Sequence, residues 1–402
     1  MLIAILISIF LGIFSGVITG ITPGLHINLV NVGVLAIVPF LPSSTPVLAL
    51  CIFILAMSVT HTFVDALPSI YLGAPDPDHA LSVLPGHRLL IAGKGHSAIL
   101  YTIIGSLGAL IISLACLPLF VFLIRLVSDT VKTYIGYILI VVMIYMIAKE
   151  ATWEKRLSAT ALFLLAGSLG TIVFILPSMK QPLFPLLSGL FGISILLPSL
   201  FSSSSFPKQL KENEIDLPLS QQSKSVVTST YMGLIAAFLP GFGSSQAAII
   251  ASQLVGKIRE EGFLVLTGGI NTANMVISLA TAYAVQKARN GSIVSILSLI
   301  PEINQKILIL FALVACIAGG AATIITMKLS KIALKLMAKA PYKTIMLTII
   351  SAIIIVTFLF DGFVGLIVLT TAIGIGLTAT NFNVGKNYLM GCLLVPVIIY
   401  FL

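Results

Sequence analysis

The sequence predicts an all-α polytopic membrane protein with two repeated halves and discontinuous or re-entrant helices at Pro-Gly breaks. Three observations carry that reading. Of 402 residues, 58% are hydrophobic and 9% charged, and the mean hydropathy is +1.15. A soluble globule needs more polar surface than this. A Pro-Gly break splits an apolar run at Ile21 to Asn28, I-T-P-G-L-H-I-N, and a second one stands at Leu239 to Gln246, L-P-G-F-G-S-S-Q. In hydrocarbon every backbone N–H and C=O needs a partner, so a helix broken at depth persists only where protein or a watery cavity covers it. Two such breaks in corresponding places of two halves point to the central site of a transporter.

Charge and cysteine usage fit the same class. A net charge of +9 would suggest nucleic acid in a soluble protein, but no basic-aromatic patch is present, and Lys and Arg gather in short loops that face the cytoplasm. Nucleic acid is therefore not an expected partner, whereas membrane lipids are. The densest cationic cluster, Lys328, Lys331, Lys335, Lys339 and Lys343, has spacings of three and four that predict one stripe along a helix at the cytoplasmic interface. Cys51, Cys116, Cys316 and Cys392 stand singly in apolar runs, as small core residues do. The first acidic or basic side chain is Asp65, so the start lacks the positive region of a secretory signal and Leu2 to Gly20 reads as a retained helix.

In chain order, Thr22-Pro23-Gly24 ends that first helix, and Leu29 to Leu41 is too short to cross a hydrocarbon core of about 30 Å. It fits the second half of a discontinuous helix. Val47 to Leu67 is long enough to span and ends with His61 and Asp65 four residues apart, hence on one face. Residues 68–97 are too rich in Pro and Gly to be one helix. Ala98 to Val121, Thr133 to Ala148, Leu157 to Leu176 and Leu183 to Leu197 are apolar enough to cross or hairpin. The polar stretch 201–225, with four consecutive serines, divides the chain into an N-terminal repeat, 1–200, and a C-terminal repeat, 226–402.

The second half repeats the plan. Val226 to Leu239 runs into Pro240-Gly241, Ala247 to Val255 is another short apolar piece, and Gly268 to Asn274 is expected to interrupt the next run. Break, short helix and interrupted helix thus occur twice in one order, whether the repeat is parallel or inverted. Lys306 to Met327, Met346 to Phe360, Phe363 to Thr378 and Tyr388 to Leu402 read as ordinary helices, with Asp361-Gly362 as a turn.

The motif G-V-I-T-G-I-T-P-G-L around the first break resembles the Gly-rich Pro-Gly motif of the large membrane subunit family of tripartite tricarboxylate transporters. Leu84-Pro-Gly-His-Arg-Leu-Leu-Ile-Ala-Gly-Lys-Gly resembles a later loop of that family, and P-G-F-G-S-S and Asn271-Thr-Ala-Asn274 resemble its second-half segments. The chain departs from the pattern in being short and in carrying His26 where the family usually has Gly. The resemblance implies a secondary-active permease for a small carboxylate, working with a small membrane subunit and an extracytoplasmic binding protein. A weaker likeness is to families that return polyprenyl-phosphate carriers across the bilayer, so a flippase for a phosphorylated lipid is the alternative.

The residues themselves favour an anion. A half-helix that starts after a Pro-Gly break points unpaired N–H groups and its positive dipole end into the gap, and glycine permits close approach. The expected substrate site comprises Thr22, Pro23, Gly24, His26, Asn28, Pro240, Gly241, Gly243, Ser244, Ser245, Gln246, Asn271 and Asn274. For Gly12, Gly16 and Gly20 the competing reading is close helix packing. His61 and Asp65 are the expected coupling pair, for H+ or Na+, because ionisable groups in apolar settings mark ion paths. His79, His87 and His96, with Asp76 and Asp78, lack metal-motif spacing, so no metal or other cofactor is expected. An enzyme would need acid, base and nucleophile clustered at an interface, and only Asp76 to Arg88 offers anything similar. The reading is a transporter, not an enzyme.

Overall fold

A computed structural model of the chain describes residues 2–402 apart from 24–26, 41, 43–45, 75–76, 133, 202–206, 211–214, 239–242, 257, 287, 289, 340–341 and 383. Among the described residues every regular element is helical. α1 (Leu2–Ile21) ends at the first break, because Pro23 has no N–H for the Thr19 carbonyl. α2 (Ile27–Ile37) follows it. α3 (Val47–Val64) and α4 (Ala66–Leu72) are one membrane-length stretch interrupted at Asp65, where Pro68 cannot donate to the Val64 carbonyl. A 3-10 turn, Pro77–Ser82, leads to α5 (Val83–Ile91), α6 (Gly95–Ala115), α7 (Leu117–Lys132), α8 (Ile135–Ala148) and α9 (Trp153–Ile175). α10 (Leu183–Leu187), a π turn at Ser188–Ile193 and α11 (Ser194–Phe201) close the first half.

The second half holds α12 (Leu219–Phe238), α13 (Ser244–Val255), α14 (Glu260–Val285), α15 (Gly291–Leu299), α16 (Gln305–Met337), α17 (Tyr342–Asn381) and α18 (Gly391–Phe401). Asn290 and Asn304 cap α15 and α16, accepting the N–H groups of Ser292 and Ile307 at 2.9 and 3.0 Å. Seven helical stretches among the described residues are long and apolar enough to cross a membrane: 2–21, 47–72, 95–115, 153–175, 260–285, 305–337 and 346–381. The protein is a multi-pass integral membrane protein.

Two expectations are corrected, the interruption of α14 and the single cationic stripe. α14 runs unbroken through Gly268 to Asn274, because its glycines serve contact with neighbouring helices and leave the backbone helical. Within the stretch 201–225, the polar residues from Leu219 onward form the first turns of α12. The cationic stripe is divided: Lys328, Lys331 and Lys335 lie on α16, Lys339 follows its end and Lys343 begins α17. At Asp361-Gly362 two helices meet, as the sequence leads one to expect: Gly362 leaves the helical conformation with φ 60°, ψ −147°.

α14 is the most enclosed helix, with every residue from Leu264 to Ala273 buried. It packs on α6, α12, α7, α13 and α3. Lipid tails are as apolar as leucine, so such helices associate through close packing of small residues. A Cβ on Gly105 of α6 would overlap the Val265 carbonyl, and one on Gly268 would overlap the Thr102 carbonyl. Ser106 Oγ donates to the Gly268 carbonyl at 3.0 Å across the same crossing. α1 lies on α3 through Gly12, Gly16 and Gly20, where a Cβ on Gly12 would sit 2.6 Å from the Phe53 carbonyl oxygen. Packing is thus the role that the structure gives to this stripe.

Gly105→Val is expected to destabilise the protein by about 1–3 kcal/mol, because the added methyls meet backbone that cannot retreat. Gly320→Ala, with open space around its Cβ, is expected to be neutral or slightly stabilising. Thermal unfolding of both variants in one detergent checks the pair, and equal melting temperatures would remove the packing argument.

Candidate functional site

α1 ends beside a buried carboxylate. Gly20, two residues before Thr22, lies so close to α3 that a Cβ there would be 2.7 Å from Val64 Cβ and 3.3 Å from the Asp65 nitrogen. Thr22 donates its hydroxyl to the Ile18 carbonyl at 2.7 Å, the same carbonyl that accepts the Thr22 N–H at 3.2 Å. Pro23 and Thr22 face an apolar cavity of about 480 Å³, whose walls include Phe184, Leu336, Met337 and Ile353.

Asp65 is 2% exposed, with one oxygen in a hydrogen bond and the other, not hydrogen-bonded, in ion-pair range of a histidine. Oδ2 accepts a hydrogen bond from Asn271 Nδ2 of α14 at 2.9 Å. Oδ1 lies 3.2 Å from His79 Nε2, in the 3-10 turn. His61 Nε2 is 3.9 Å from Oδ2, too long for a hydrogen bond but close enough for electrostatic contact. Asn271, His61 and His79 are 4%, 5% and 0% exposed. The far nitrogens of both rings are tied down as well. His61 Nδ1 is 3.0 Å from Thr19 Oγ1, and His79 Nδ1 is 3.3 Å from Ser82 Oγ. One residue on from His61 and from Asn271, Thr62 and Thr272 join α3 to α14 at 3.1 Å.

The second break supplies a neighbouring polar cluster. Ser244, Ser245 and Gln246 are buried in the first turn of α13. Gln246 Oε1 accepts the Gly243 N–H at 3.0 Å, so one of the donors expected to face a substrate is met within the protein. Asn274 Nδ2 donates to Ser244 Oγ at 3.3 Å. Asn271 and Asn274 are three residues apart on α14, which puts them on one face a single turn apart. That face therefore joins the Asp65 cluster to the Ser244 cluster.

Of the expected site residues, the structure brings together His61, Asp65 and Asn271 in one cluster, and Gly243, Ser244, Gln246 and Asn274 in the other. Gly24, His26, Pro240 and Gly241 lie outside the described residues, as does the side chain of Asn28. His79 was not among the expected partners of Asp65. Gly73, with φ 59°, turns the chain back after α4 and returns the 3-10 turn to the carboxylate. The spacing between Asp65 and His79 carries no periodic signal for this, though a histidine set between helices in a Pro-rich segment is where one would search. The other histidines diverge: His96 Nδ1 is 2.6 Å from Ser330 Oγ on α16, a hydroxyl also 2.7 Å from Tyr71 Oη. Among the described residues no three His, Cys, Asp or Glu side chains are grouped to hold a metal ion.

His87, on α5 outside the spans, is buried, and that burial pushes its pKa below the ordinary 6.5, partly countered by the Ile70 carbonyl. The unfolded chain then binds the proton more readily than the folded one, so stability falls as the pH drops below about 6.5. His87→Leu is expected to flatten the acid limb of a plot of melting temperature against pH. An unchanged acid limb would show that His87 stays neutral at no cost.

The bond between Asp65 and Asn271 is expected to couple their substitutions. In a double-mutant cycle of Asp65→Asn and Asn271→Ala, thermal unfolding should show non-additivity of about 1–3 kcal/mol, because Asn271→Ala alone leaves a buried acceptor unmet. Strict additivity would deny the bond any energetic weight.

Comparison with known proteins agrees with this architecture. The chain is 29% identical over 392 residues to an uncharacterized protein of Methanocaldococcus jannaschii, covering 94% of both chains. No solved structure matches it. Residues 6–391 match the family model described as the tripartite tricarboxylate transporter TctA family. That match takes in both breaks, the Asp65 cluster and the Ser244 cluster, and the chain therefore belongs to the tripartite tricarboxylate transporter TctA family.

Proposed function

We propose that the chain is the permease of a secondary transporter, moving a small carboxylate by alternating access with ion or proton coupling. The observation that carries this reading is the enclosed carboxylate of Asp65, reached by Asn271 from the other half of the chain and set beside the residues that flank a Pro-Gly break. Membrane proteins retain such a group where ions or protons pass. The first turn of α13, with Ser244, Gln246 and Asn274, supplies hydrogen-bonding groups and a positive dipole end without a fixed cation. A site built of partial charges binds an anion and releases it, whereas a buried full charge is costly whenever the site empties.

The proposal includes two structurally related halves, 1–200 and 226–402, with re-entrant or discontinuous helices at the breaks. Matched pairings support it. α1 lies on α3 as α12 lies on α14; α3 packs on α16 as α14 packs on α6; and α9 packs on α18 as α17 packs on the π turn. Gly16 precedes Pro23 by seven residues, as Gly233 precedes Pro240 (23 − 16 = 240 − 233 = 7), and both glycines press against the partner helix. The family's tripartite name supports two further components, which we take as a small membrane subunit and an extracytoplasmic binding protein.

A second reading, translocation of a polyprenyl-phosphate carrier, is favoured by one feature. The cavity beside Thr22 and Pro23 is lined almost wholly by apolar side chains, as a lipid tail requires. Equilibrium binding of citrate and of a polyprenyl phosphate to the purified protein separates the two. Citrate is expected to bind, and Gly24→Val or Gly241→Val should weaken it at least about tenfold, or 1.4 kcal/mol, by blocking approach to the backbone. Binding of the polyprenyl phosphate alone would transfer the function to lipid translocation. Unaltered citrate affinity in both variants would take the substrate away from the breaks.

A further inference from the structure

We infer that the coupling ion is a proton and that it is held between His79 and Asp65. This rests on the transporter reading above and names the ion that reading leaves open. The atoms around the carboxylate decide the ion's chemistry. Hard cations take oxygen ligands, and discontinuous helices that bind Na+ offer carbonyls. Among the described residues the side-chain atoms meeting the Asp65 oxygens are instead nitrogens: His79 Nε2 at 3.2 Å, Asn271 Nδ2 at 2.9 Å and His61 Nε2 at 3.9 Å. An amide Nδ2 donates only, and an imidazole carries or gives up a proton near neutral pH. This constellation suits a carboxylate sharing a proton with a base and is wrong for an oxygen-ligated metal.

The other ionisable groups among the described residues lie elsewhere. α1, α2, α10, α13 and α15 carry none. On α14, Glu260 and Glu261 stand at the start, where they meet Arg88 and Arg259, and Tyr283 lies near the other end, under Arg125. Tyr71 of α4 and His96 of α6 are turned to Ser330. Tyr101 of α6 meets the Asp216 N–H, and α5 carries His87 against the Ile70 carbonyl. The lysines of α16 stand near its two ends. Among the described residues His61 is the remaining titratable group facing Asp65, and it stands farther off than His79, with its Nδ1 beside Thr19.

The step balances simply. A proton from one aqueous side adds to His79 Nε2, giving imidazolium against carboxylate with no net charge. Its release to the other side leaves neutral imidazole and carboxylate, a net charge of −1. Asn271 and Asn274 share one face of α14, so this charge develops one helical turn from the Ser244 cluster. The protonated pair admits an anion there and the deprotonated pair repels it, which ties one proton to each anion carried.

The test uses the full chain in proteoliposomes with radiolabelled citrate. Counterflow without any gradient reads transport itself. A pH gradient in sodium-free buffer is expected to accelerate uptake at least about fivefold, the lower end of ordinary coupling, and a sodium gradient at equal pH to leave it unchanged. In His79→Asn the acceleration factor should fall to unity. Counterflow accelerated by sodium alone, or a His79→Asn protein that keeps the parent's factor, would overturn the proposal while the transport reading stands. A second measurement does not depend on citrate. In 15N-histidine spectra of the detergent-solubilised chain, His79 should change protonation state between about pH 5 and 8, and its titration should move in Asp65→Asn. One protonation state throughout that range would also overturn the proposal. Titration of His79 without any counterflow would uphold the proton site and remove the carboxylate substrate.

Discussion

Solvation of one carboxylate organises the centre of this molecule. Asp65 is enclosed in a chain whose exterior is hydrocarbon, and an ionised group there costs several kcal/mol unless protein dipoles replace its water. The replacements come from separate places in the sequence: His61 from the same helix, His79 from a turn fourteen residues on (79 − 65) and Asn271 from the other half. Each partner restricts a neighbour. Asn271 fixes the register of α14 against α3, His79 holds the 3-10 turn beneath both, and Thr19, bonded to His61, anchors the end of α1 where the first break begins.

The glycines make those approaches possible. No hydrophobic force draws helices together in lipid, so the contact distance is set by how little side chain lies between backbones. On α14 the glycines at 268 and 269 let α6 and α12 in from two sides, while Asn271 and Thr272 in the next turn meet α3. Small residues for packing and polar residues for the site thus alternate along one helix. This is also why α14 stays helical: with neighbours this close, its hydrogen-bond ladder is the one arrangement that leaves no buried amide unmet.

Much of this was legible in the sequence. Apolar length gave α1, α3 and α9 nearly to their ends and the start of α16, whose last ten residues carry the lysines that ended the apolar run; proline marked where α1 and α12 stop, and four-residue spacing placed His61 with Asp65. Asn271 was read as a group of the central site, but the sequence offered no sign that its amide would be spent on Asp65. The run Gly268 to Asn274 looked like a break because glycine density marks both breaks and close crossings, and only the presence of α6 and α12 separates them. His79 and the Tyr71–Ser330–His96 group were invisible for a different reason. Their contacts arise from chain reversal at Gly73 and from α16, more than two hundred residues away (330 − 96 = 234), and no local period encodes either. The start of α12 was missed because its first residues are polar, and helix outside the bilayer leaves no apolar stripe.

The arrangement also bears on how two sites in one protein feel each other. Coupling free energy must pass through some body whose position both sites bias. Here that body is α14, because Asn271 meets Asp65 and Asn274 meets Ser244 within one turn of a rigid helix. A helix cannot stretch between residues three apart, so a shift that lengthens one of these bonds acts on the other. On the transporter reading, filling the anion site and protonating the His79–Asp65 pair are then two loads on one element. By reciprocity, whatever protonation does for the anion's affinity, the anion does for the proton's.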